Sequence, residues 1–198
     1  MSEREASYGE GGEKLLDRIL SARRRRQVEA HVPEGGVVVD LGCGHRGGLL
    51  AWLAPRIREG VGVDLSVGDA PPAPNVRLVA GAADGELPLE DGSADLVTCL
   101  AVIEHVARPA ALLAEARRVL RPGGRLVVTT PAREAKPVLE LLSLRLRVID
   151  AAEILDHKRY YTPATLRQAI VDAGFPPAGV RVRRFELGLN LAAVAEAG

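Results

Sequence analysis

The stretch of sequence that decides the fold is residues 37–47, which read VVVDLGCGHRG. Three consecutive valines are typical of a strand that is buried on both faces. The glycine-rich turn that follows lets the backbone approach a ligand closely, because glycine has no side chain to keep the ligand away. The apolar run that begins at Leu49 starts a helix, whose first N–H groups can face the same ligand. The stretch therefore predicts a nucleotide-type cofactor site at the carboxyl end of a first parallel strand.

Two kinds of cofactor compete for this turn. Gly42, Gly44 and Gly47 satisfy the dinucleotide fingerprint G-x-G-x-x-G. Asp64 lies about 20 residues further on, where that fingerprint places a ribose-binding acid. Asp40 favours a different ligand, since a carboxylate at this place would repel a pyrophosphate and suits a cation that carries an amino group. An NAD-dependent oxidoreductase stays open as an alternative.

Strands and helices alternate along the rest of the chain. Hydrophobic runs predict strands at residues 37–41, 61–65, 76–80, 95–102, 124–130, 180–185 and 189–194. Helices are predicted at residues 13–32, 49–57 and 110–120, and after Thr162, which precedes a proline at the first helical position. Three prolines at positions 71, 72 and 74 exclude a helix between the second and third strands. The alternation indicates βαβ units and a mainly parallel sheet, and the last two strands form a hairpin near Gly188.

Four motifs carry a resemblance to a known family. The segment VDLGCG at residues 39–44 closely resembles motif I of the class I S-adenosylmethionine-dependent methyltransferases. DGSADLV at residues 91–97, VIEHV at 102–106 and LRPGGRL at 120–126 look like later signatures of that family, in particular of its small-molecule, type 11-like members. The resemblance covers residues 37–131 strongly and the remainder loosely. It implies an α/β fold: a Rossmann-like, doubly wound, mainly parallel seven-stranded sheet with a C-terminal antiparallel hairpin.

The resemblance also implies one methyltransferase domain over residues 1–198, with S-adenosylmethionine as cofactor and S-adenosylhomocysteine as product. Asp40 and the backbone of Gly42 and Gly44 would hold the methionine part, and Asp64 the ribose. The other implied cofactor contacts are Cys43, His45, Leu65, Ala83, Asp84, Leu100 and Ala101. Family members often carry an aspartate directly after the first glycine of the adenine loop. Here that residue is Ala82, which leaves Asp84 or the backbone of Ala83 to bind adenine.

Two histidines are candidates for a general base, because histidine titrates near neutral pH. His105 follows the fourth strand directly, close to where the resemblance places the methyl group and its acceptor. His157 lies in a segment that resembles one covering the acceptor pocket in small-molecule members. We expect residues 132–161 to form an acceptor-side insertion and residues 1–12 to be flexible. The cations Arg145, Arg147, Lys158 and Arg159 would suit a phosphate or carboxylate on the acceptor.

The composition of the chain limits the kinds of molecule that it is expected to bind. Acidic and basic residues balance at 26 each, and aromatic residues make up 3% of the chain, which argues against a nucleic-acid acceptor. The four histidines are scattered without the ligand spacing of a zinc site, so no metal is expected. No membrane insertion is expected either, and the cytoplasm is the expected location. The sequence thus predicts a methyltransferase with a small-molecule acceptor. A non-catalytic domain that binds S-adenosylmethionine is the second alternative, and the oligomeric state stays open.

Overall fold

The computed structural model describes residues 15–137 and 158–198, with side chains from residue 21 onward. Over these residues the helices are α1 (Leu15–Glu29), α2 (Gly48–Leu53), α3 (Pro109–Val119) and α4 (Pro163–Asp172). The strands are β1 (Val37–Leu41), β2 (Glu59–Asp64), β3 (Val76–Ala80), β4 (Ala94–Leu100), β5 (Leu120–Pro131), β6 (Val180–Phe185) and β7 (Asn190–Glu196). Short 3-10 turns lie at Arg133–Ala135 and Pro177–Gly179. No helix within this part of the chain is long and apolar enough to cross a membrane.

All seven strands form one sheet in the order β3-β2-β1-β4-β5-β7-β6. The strands from β3 to β5 are parallel, whereas β7 runs antiparallel to both β5 and β6. β1 pairs with β2 on one side and with β4 on the other, so the direction in which the chain adds strands reverses at β1. A crevice opens where strand order reverses, at the carboxyl ends of the strands, which is where ligands bind in such sheets.

The core lies on both faces of the sheet, as the three valines of β1 predict. Val38 and Val39 are fully buried on opposite faces. The face of Val39 is covered by α3 and α4, and the face of Val38 by α1 and α2. β1 therefore anchors the glycine turn in a rigid scaffold.

Some predicted element boundaries match the structure, those of β2 and β7 differ from it by one or two residues, and α2 and β4 end where local backbone geometry intervenes. β3 has the predicted bounds, no helix forms between β2 and β3, and Thr162 caps α4 through a reciprocal bond with Thr165. α2 ends at Leu53: Ala54 still has helical backbone angles, but Pro55 has no N–H with which to continue the helical hydrogen bonds. β4 ends at Leu100 because Ala101 has a φ of +57°.

β5 and the final hairpin differ from the prediction in detail. β5 begins at Leu120 instead of residue 124, since Leu120 already pairs with Ala94 across a bulge. The hairpin turn is formed by Glu186 and Leu187, both at positive φ, and the N–H of Gly188 donates to the carbonyl of Phe185 at 3.1 Å. The antiparallel hairpin confirms the predicted mixed seven-stranded sheet.

Candidate functional site

The three glycines of the turn after β1 have different physical roles. All adopt positive φ: 75° at Gly42, 71° at Gly44 and 58° at Gly47. A Cβ at Gly42 would lie 2.1 Å from Cγ2 of Val102, so packing alone requires a glycine there. A Cβ at Gly44 would meet nothing within 4 Å. The backbone at Gly44 is thus the part of the turn that faces open space and can meet a ligand.

Asp64 at the end of β2 ties that strand to the glycine turn. Its Oδ2 accepts the N–H of Gly44 at 2.9 Å, and its Oδ1 lies 3.4 Å from the N–H of Ser66. The N–H groups of Gly42 and Cys43 both donate to the carbonyl of Val63, at 2.8 and 3.3 Å. These backbone donors therefore stabilise the turn itself, and the carboxylate of Asp64 lies beside the open backbone of Gly44.

Three further predicted contacts surround the turn. The thiol of Cys43 is buried and lies where a Cβ on Gly62 would come within 2.7 Å, so this side chain packs against β2. Burial raises the pKa of Cys43 to about 12. His45 is exposed, and its carbonyl accepts the N–H of Gly68 at 2.8 Å. The side chain of Leu65 is 67% exposed and offers an apolar surface next to Asp64.

Asp40 is a buried carboxyl at the end of β1. It is 3% exposed, and its Oδ1 accepts a hydrogen bond from the hydroxyl of Thr98 at 2.6 Å. Burial raises the pKa of Asp40 to about 7, although the bond from Thr98 opposes the rise, and the charge of Asp64 adds to it. Near neutral pH both the protonated and the ionised form of this carboxyl are therefore populated, and a cation beside it would stabilise the ionised form.

Asp84 lies in the predicted adenine loop, directly after the buried Ala83. Its Oδ2 accepts the N–H of Arg108 at 2.8 Å, at the N-cap position of α3. The guanidinium of Arg108 donates back to the carbonyl of Asp84 at 2.9 Å. Asp84 therefore links the loop to the start of α3, a role that its spacing in the sequence did not suggest.

Leu100 and Ala101 lie where β4 ends. The N–H of Ala101 donates to the carbonyl of Thr129 at 2.8 Å, which keeps the chain on β5 while it turns away from the sheet. A left-handed backbone at a non-glycine residue costs about 1–2 kcal/mol. Backbone strain of this kind clusters at functional sites, and this instance sits where the resemblance places the methyl group.

His105 lies in the loop that connects β4 to α3. The segment at residues 158–161 packs along this loop and binds its backbone. The backbone N–H of Lys158 donates to the carbonyl of Glu104 at 3.0 Å, and its ammonium donates to the carbonyl of His105. The guanidinium of Arg159 donates to the carbonyls of Val106 and Ala107, at 2.6 and 2.9 Å. Both cations are thus engaged by backbone carbonyls. His157, Arg145 and Arg147 lie outside the described residues.

Glu104 is a residue that the sequence analysis did not select. It is 1% exposed, and neither carboxyl oxygen has a hydrogen-bond partner among the described residues. The hydroxyl of Thr130 is near enough to favour the charged form of Glu104, but no hydrogen bond of good geometry joins the two. Burial dominates and raises the pKa of Glu104. The signal that could have found it is an acid within an apolar run directly after a buried strand.

Comparison with known proteins gives a consistent result. A model of the methyltransferase domain family matches residues 13–177. The ubiquinone biosynthesis O-methyltransferase of Ralstonia nicotianae is 34% identical over 172 residues, which cover 78% of this chain and 69% of that protein. Its counterpart in Cupriavidus pinatubonensis is 32% identical over 157 residues, covering 71% of this chain and 60% of that protein. The chain thus spans less than two thirds of the length of the second relative.

The fold also matches solved structures. Burkholderia thailandensis 1,6-didemethyltoxoflavin-N1-methyltransferase, with 1,6-didemethyltoxoflavin and S-adenosylhomocysteine bound, superposes with a TM-score of 0.71. The match covers 98% of this chain and 85% of that one, at 21% identity. At this level of identity the likeness establishes the fold.

Proposed function

The chain belongs to the class I S-adenosylmethionine-dependent methyltransferases, and on that premise we propose that it methylates an oxygen or nitrogen atom of a small-molecule acceptor. The observation that carries the proposal is the pair of carboxyl groups, Asp40 near the end of β1 and Asp64 at the end of the neighbouring β2, beside the turn that contains the open backbone of Gly44. The names of the two O-methyltransferase relatives support oxygen as the first atom to test.

The described residues fit the cofactor. S-adenosylmethionine presents a cationic amino group, a sulfonium, a ribose diol and an adenine. Asp40 and Asp64 are anionic or hydrogen-bond-accepting partners for the first three, and Gly44 is the position where an added Cβ would point into open space. Leu65 offers apolar surface beside Asp64, and the loop at Ala83 and Asp84 lies next along the sheet edge. We propose these residues as the cofactor contacts.

When bound, the cofactor supplies a methyl group that its positive sulfur has already activated. The protein then has to align the acceptor atom, exclude water and accept a proton. We propose His105 for the proton, because its loop follows β4, where Ala101 turns the chain away from the sheet. Lys158 and Arg159 bind the backbone carbonyls of His105 and Val106, which supports the backbone that carries the imidazole. His157 remains a second candidate from the resemblance alone.

The first test is calorimetric titration of the full chain with S-adenosylmethionine, S-adenosylhomocysteine and NADH. We expect micromolar binding of the first two and no binding of NADH. Asp64→Ala should weaken S-adenosylhomocysteine binding by roughly 10- to 100-fold, because hydrogen bonds to a charged group contribute about 1.5–3 kcal/mol. Binding of NADH, or unchanged affinity in Asp64→Ala, would contradict the proposal.

Turnover separates the enzyme from a domain that only binds the cofactor. Formation of S-adenosylhomocysteine is measured by mass spectrometry with a panel of phenols, alcohols and primary amines. With the best of these acceptors, His105→Gln should lower kcat by about 10²- to 10⁴-fold, the usual contribution of general base catalysis, and leave cofactor affinity unchanged. Binding without turnover across the panel would favour the non-catalytic alternative.

We also propose the cytoplasm as the location. Cys43 and Cys99 are both buried free thiols, as is usual in a reducing compartment. The even charge balance and low aromatic content support a small molecule over nucleic acid as the acceptor.

A further inference from the structure

The loop after β3 has no regular secondary structure, yet side chains of α3 bind it at several points. Within residues 81–92 the structure shows only turns and bends. Three side chains at the N-cap and on one face of α3 reach this loop: Arg108, Glu115 and Arg118. We refer to these three side chains as the clasp.

Glu115 and Arg118 bind the middle of the loop. Oε2 of Glu115 accepts the N–H of Leu87 at 2.9 Å. Arg118 donates from Nη2 to the carbonyl of Leu87 at 3.2 Å and from Nη1 to that of Leu89 at 2.8 Å. With the bond from Arg108 to the carbonyl of Asp84, the clasp holds four backbone groups of the loop.

Within the clasp, Arg118 and Glu115 are also bonded to each other. Arg118 meets Glu115 through two bonds, Nε to Oε1 at 2.9 Å and Nη2 to Oε2 at 2.7 Å, and also donates to Asp91 at 2.7 Å. A bidentate guanidinium–carboxylate pair fixes the orientation of both groups. The bond from Arg118 lowers the pKa of Glu115, so both side chains are charged at neutral pH. Leu87 is itself buried and belongs to the hydrophobic core that includes residues of α3, so its side chain also packs the loop against the core.

The proposed function requires this loop to recognise the adenine base of the cofactor. An adenine base presents an exocyclic amino group as a donor, whereas hypoxanthine presents an oxygen at the same place. To distinguish adenine from hypoxanthine, the loop must hold a hydrogen-bond acceptor in a fixed position opposite the amino group. A mobile loop could instead turn an N–H group toward the oxygen. Arg108 binds the carbonyl of Asp84 itself, and Glu115 and Arg118 bind Leu87, three residues further along the loop.

We propose that Arg118 and Glu115 are positioning residues that fix the loop at Ala83 and Asp84, and so set the preference of the site for adenine over hypoxanthine. This inference rests on the proposed function, because it assumes that the loop binds the adenine of the cofactor. Both residues act through the loop.

The test compares the affinity of the full chain for S-adenosylhomocysteine and S-inosylhomocysteine by calorimetry. The wild type should prefer the adenine ligand by about tenfold or more, because the hypoxanthine oxygen leaves a polar group unpaired. In Arg118→Ala the preference should shrink to about threefold or less. Arg117→Ala is the matched control. Arg117, the preceding residue of α3, donates to the carbonyl of Gly198 at 2.9 Å and lies over the ring of Phe175, away from the loop.

The preference, a ratio of two affinities, distinguishes positioning from general destabilisation. If Arg118→Ala weakens both ligands equally, or if Arg117→Ala reduces the preference as much, the inference is overturned. If Arg118→Ala fails to fold, Arg118→Lys is tested in its place. Lysine keeps the positive charge but lacks the planar guanidinium that binds a carboxylate through two N–H groups, so the same reduced preference for the adenine ligand is expected. A wild type that binds neither ligand overturns the proposed function, whereas one that binds both equally overturns only the role of the loop.

Discussion

The proposed cofactor side and the proposed acceptor side of the sheet edge differ in how their buried polar groups are satisfied. At the ends of β1 and β2, Asp40 accepts from Thr98 and Asp64 accepts from the backbone of Gly44. At the ends of β4, β5 and β6, buried oxygens without hydrogen-bond partners among the described residues occur in Glu104, Thr129, Thr130 and Glu186. In the part of the chain that the structure describes, Asp40 and Asp64 are paired, whereas each of these four residues keeps at least one buried side-chain oxygen that is not.

The two sides differ in backbone strain as well as in hydrogen bonding. Leaving a buried polar group without a partner costs about 1–3 kcal/mol. Among the described residues of this edge, such oxygens lie on the proposed acceptor side. It also contains three strained non-glycine residues, Ala101, Glu186 and Leu187, all at positive φ. The cofactor side places its positive φ values on glycines, where they cost little. Unpaired oxygens and backbone strain thus occur together, on the side proposed to bind the acceptor.

The glycine turn offers the strongest test of the cofactor side. In Gly42→Ala the new Cβ would lie 2.1 Å from a methyl carbon of Val102, and the alanine would have to keep the left-handed backbone of the glycine. The free energy of unfolding should therefore fall by about 2–5 kcal/mol. Gly44→Ala has the same backbone strain without a clash, so it should lose only about 1–2 kcal/mol. Urea denaturation measures both. Equal losses would show that the packing around Gly42 is softer than the structure indicates.

Asp40 predicts a pH dependence of cofactor binding. The raised pKa, about 7, means that below that pH the carboxyl must release a proton before it can pair with a cation. Affinity for S-adenosylmethionine should therefore rise by up to about tenfold per pH unit toward pH 7 and level off above it. Calorimetry between pH 5.5 and pH 8.5, both roughly 1.5 pH units from that pKa, would show this. Asp40→Asn should give a flat profile, and a flat wild-type profile would argue against Asp40 as the partner of the cation.

Glu104 predicts a pH dependence of stability on the acceptor side. Because its pKa is raised in the folded protein, the folded state binds more protons than the unfolded state above the unfolded pKa, and stability falls as pH rises. Glutamine does not ionise, so Glu104→Gln should not show this loss. The stability of the variant relative to the wild type should therefore increase as the pH is raised from acidic to alkaline values. Glu115→Gln is the control with the opposite sign, since the pKa of Glu115 is lowered. Urea denaturation at several pH values would measure both, and parallel profiles for wild type and Glu104→Gln would refute the burial effect.

Ala101 gives the smallest expected effect. Ala101→Gly relieves a backbone strain of about 1–2 kcal/mol but makes the unfolded chain more flexible by about 0.4–1 kcal/mol. The net change in the free energy of unfolding should be a stabilisation of about 1 kcal/mol or less. Thermal and urea denaturation together resolve a change of that size. A clear destabilisation would mean that the methyl group of Ala101 contributes packing that offsets the strain.

The sequence by itself determined the features that are local in the chain. Residues 37–47 specified a strand, a glycine turn and a helix, because valine runs, consecutive glycines and apolar periodicity act over a few residues. The missing helix before β3 followed from three prolines, and the cap of α4 from Thr162 and Pro163. Asp64 was predicted at the tip of the second strand, and β2 does end there, whereas its bond to the glycine turn was found only in the structure.

Only the tertiary structure decided what depends on neighbours distant in sequence. Gly42 is required by Val102, and Asp84 is bound by Arg108, although these pairs are separated by many residues in the chain. The burial that raises the pKa of Glu104 comes from the fold around it, so the sequence showed only an acid beside a histidine. Local patterns determine secondary structure because their interactions lie within a few residues. Burial, close approach and pairing are properties of surfaces that meet only when the sheet is assembled.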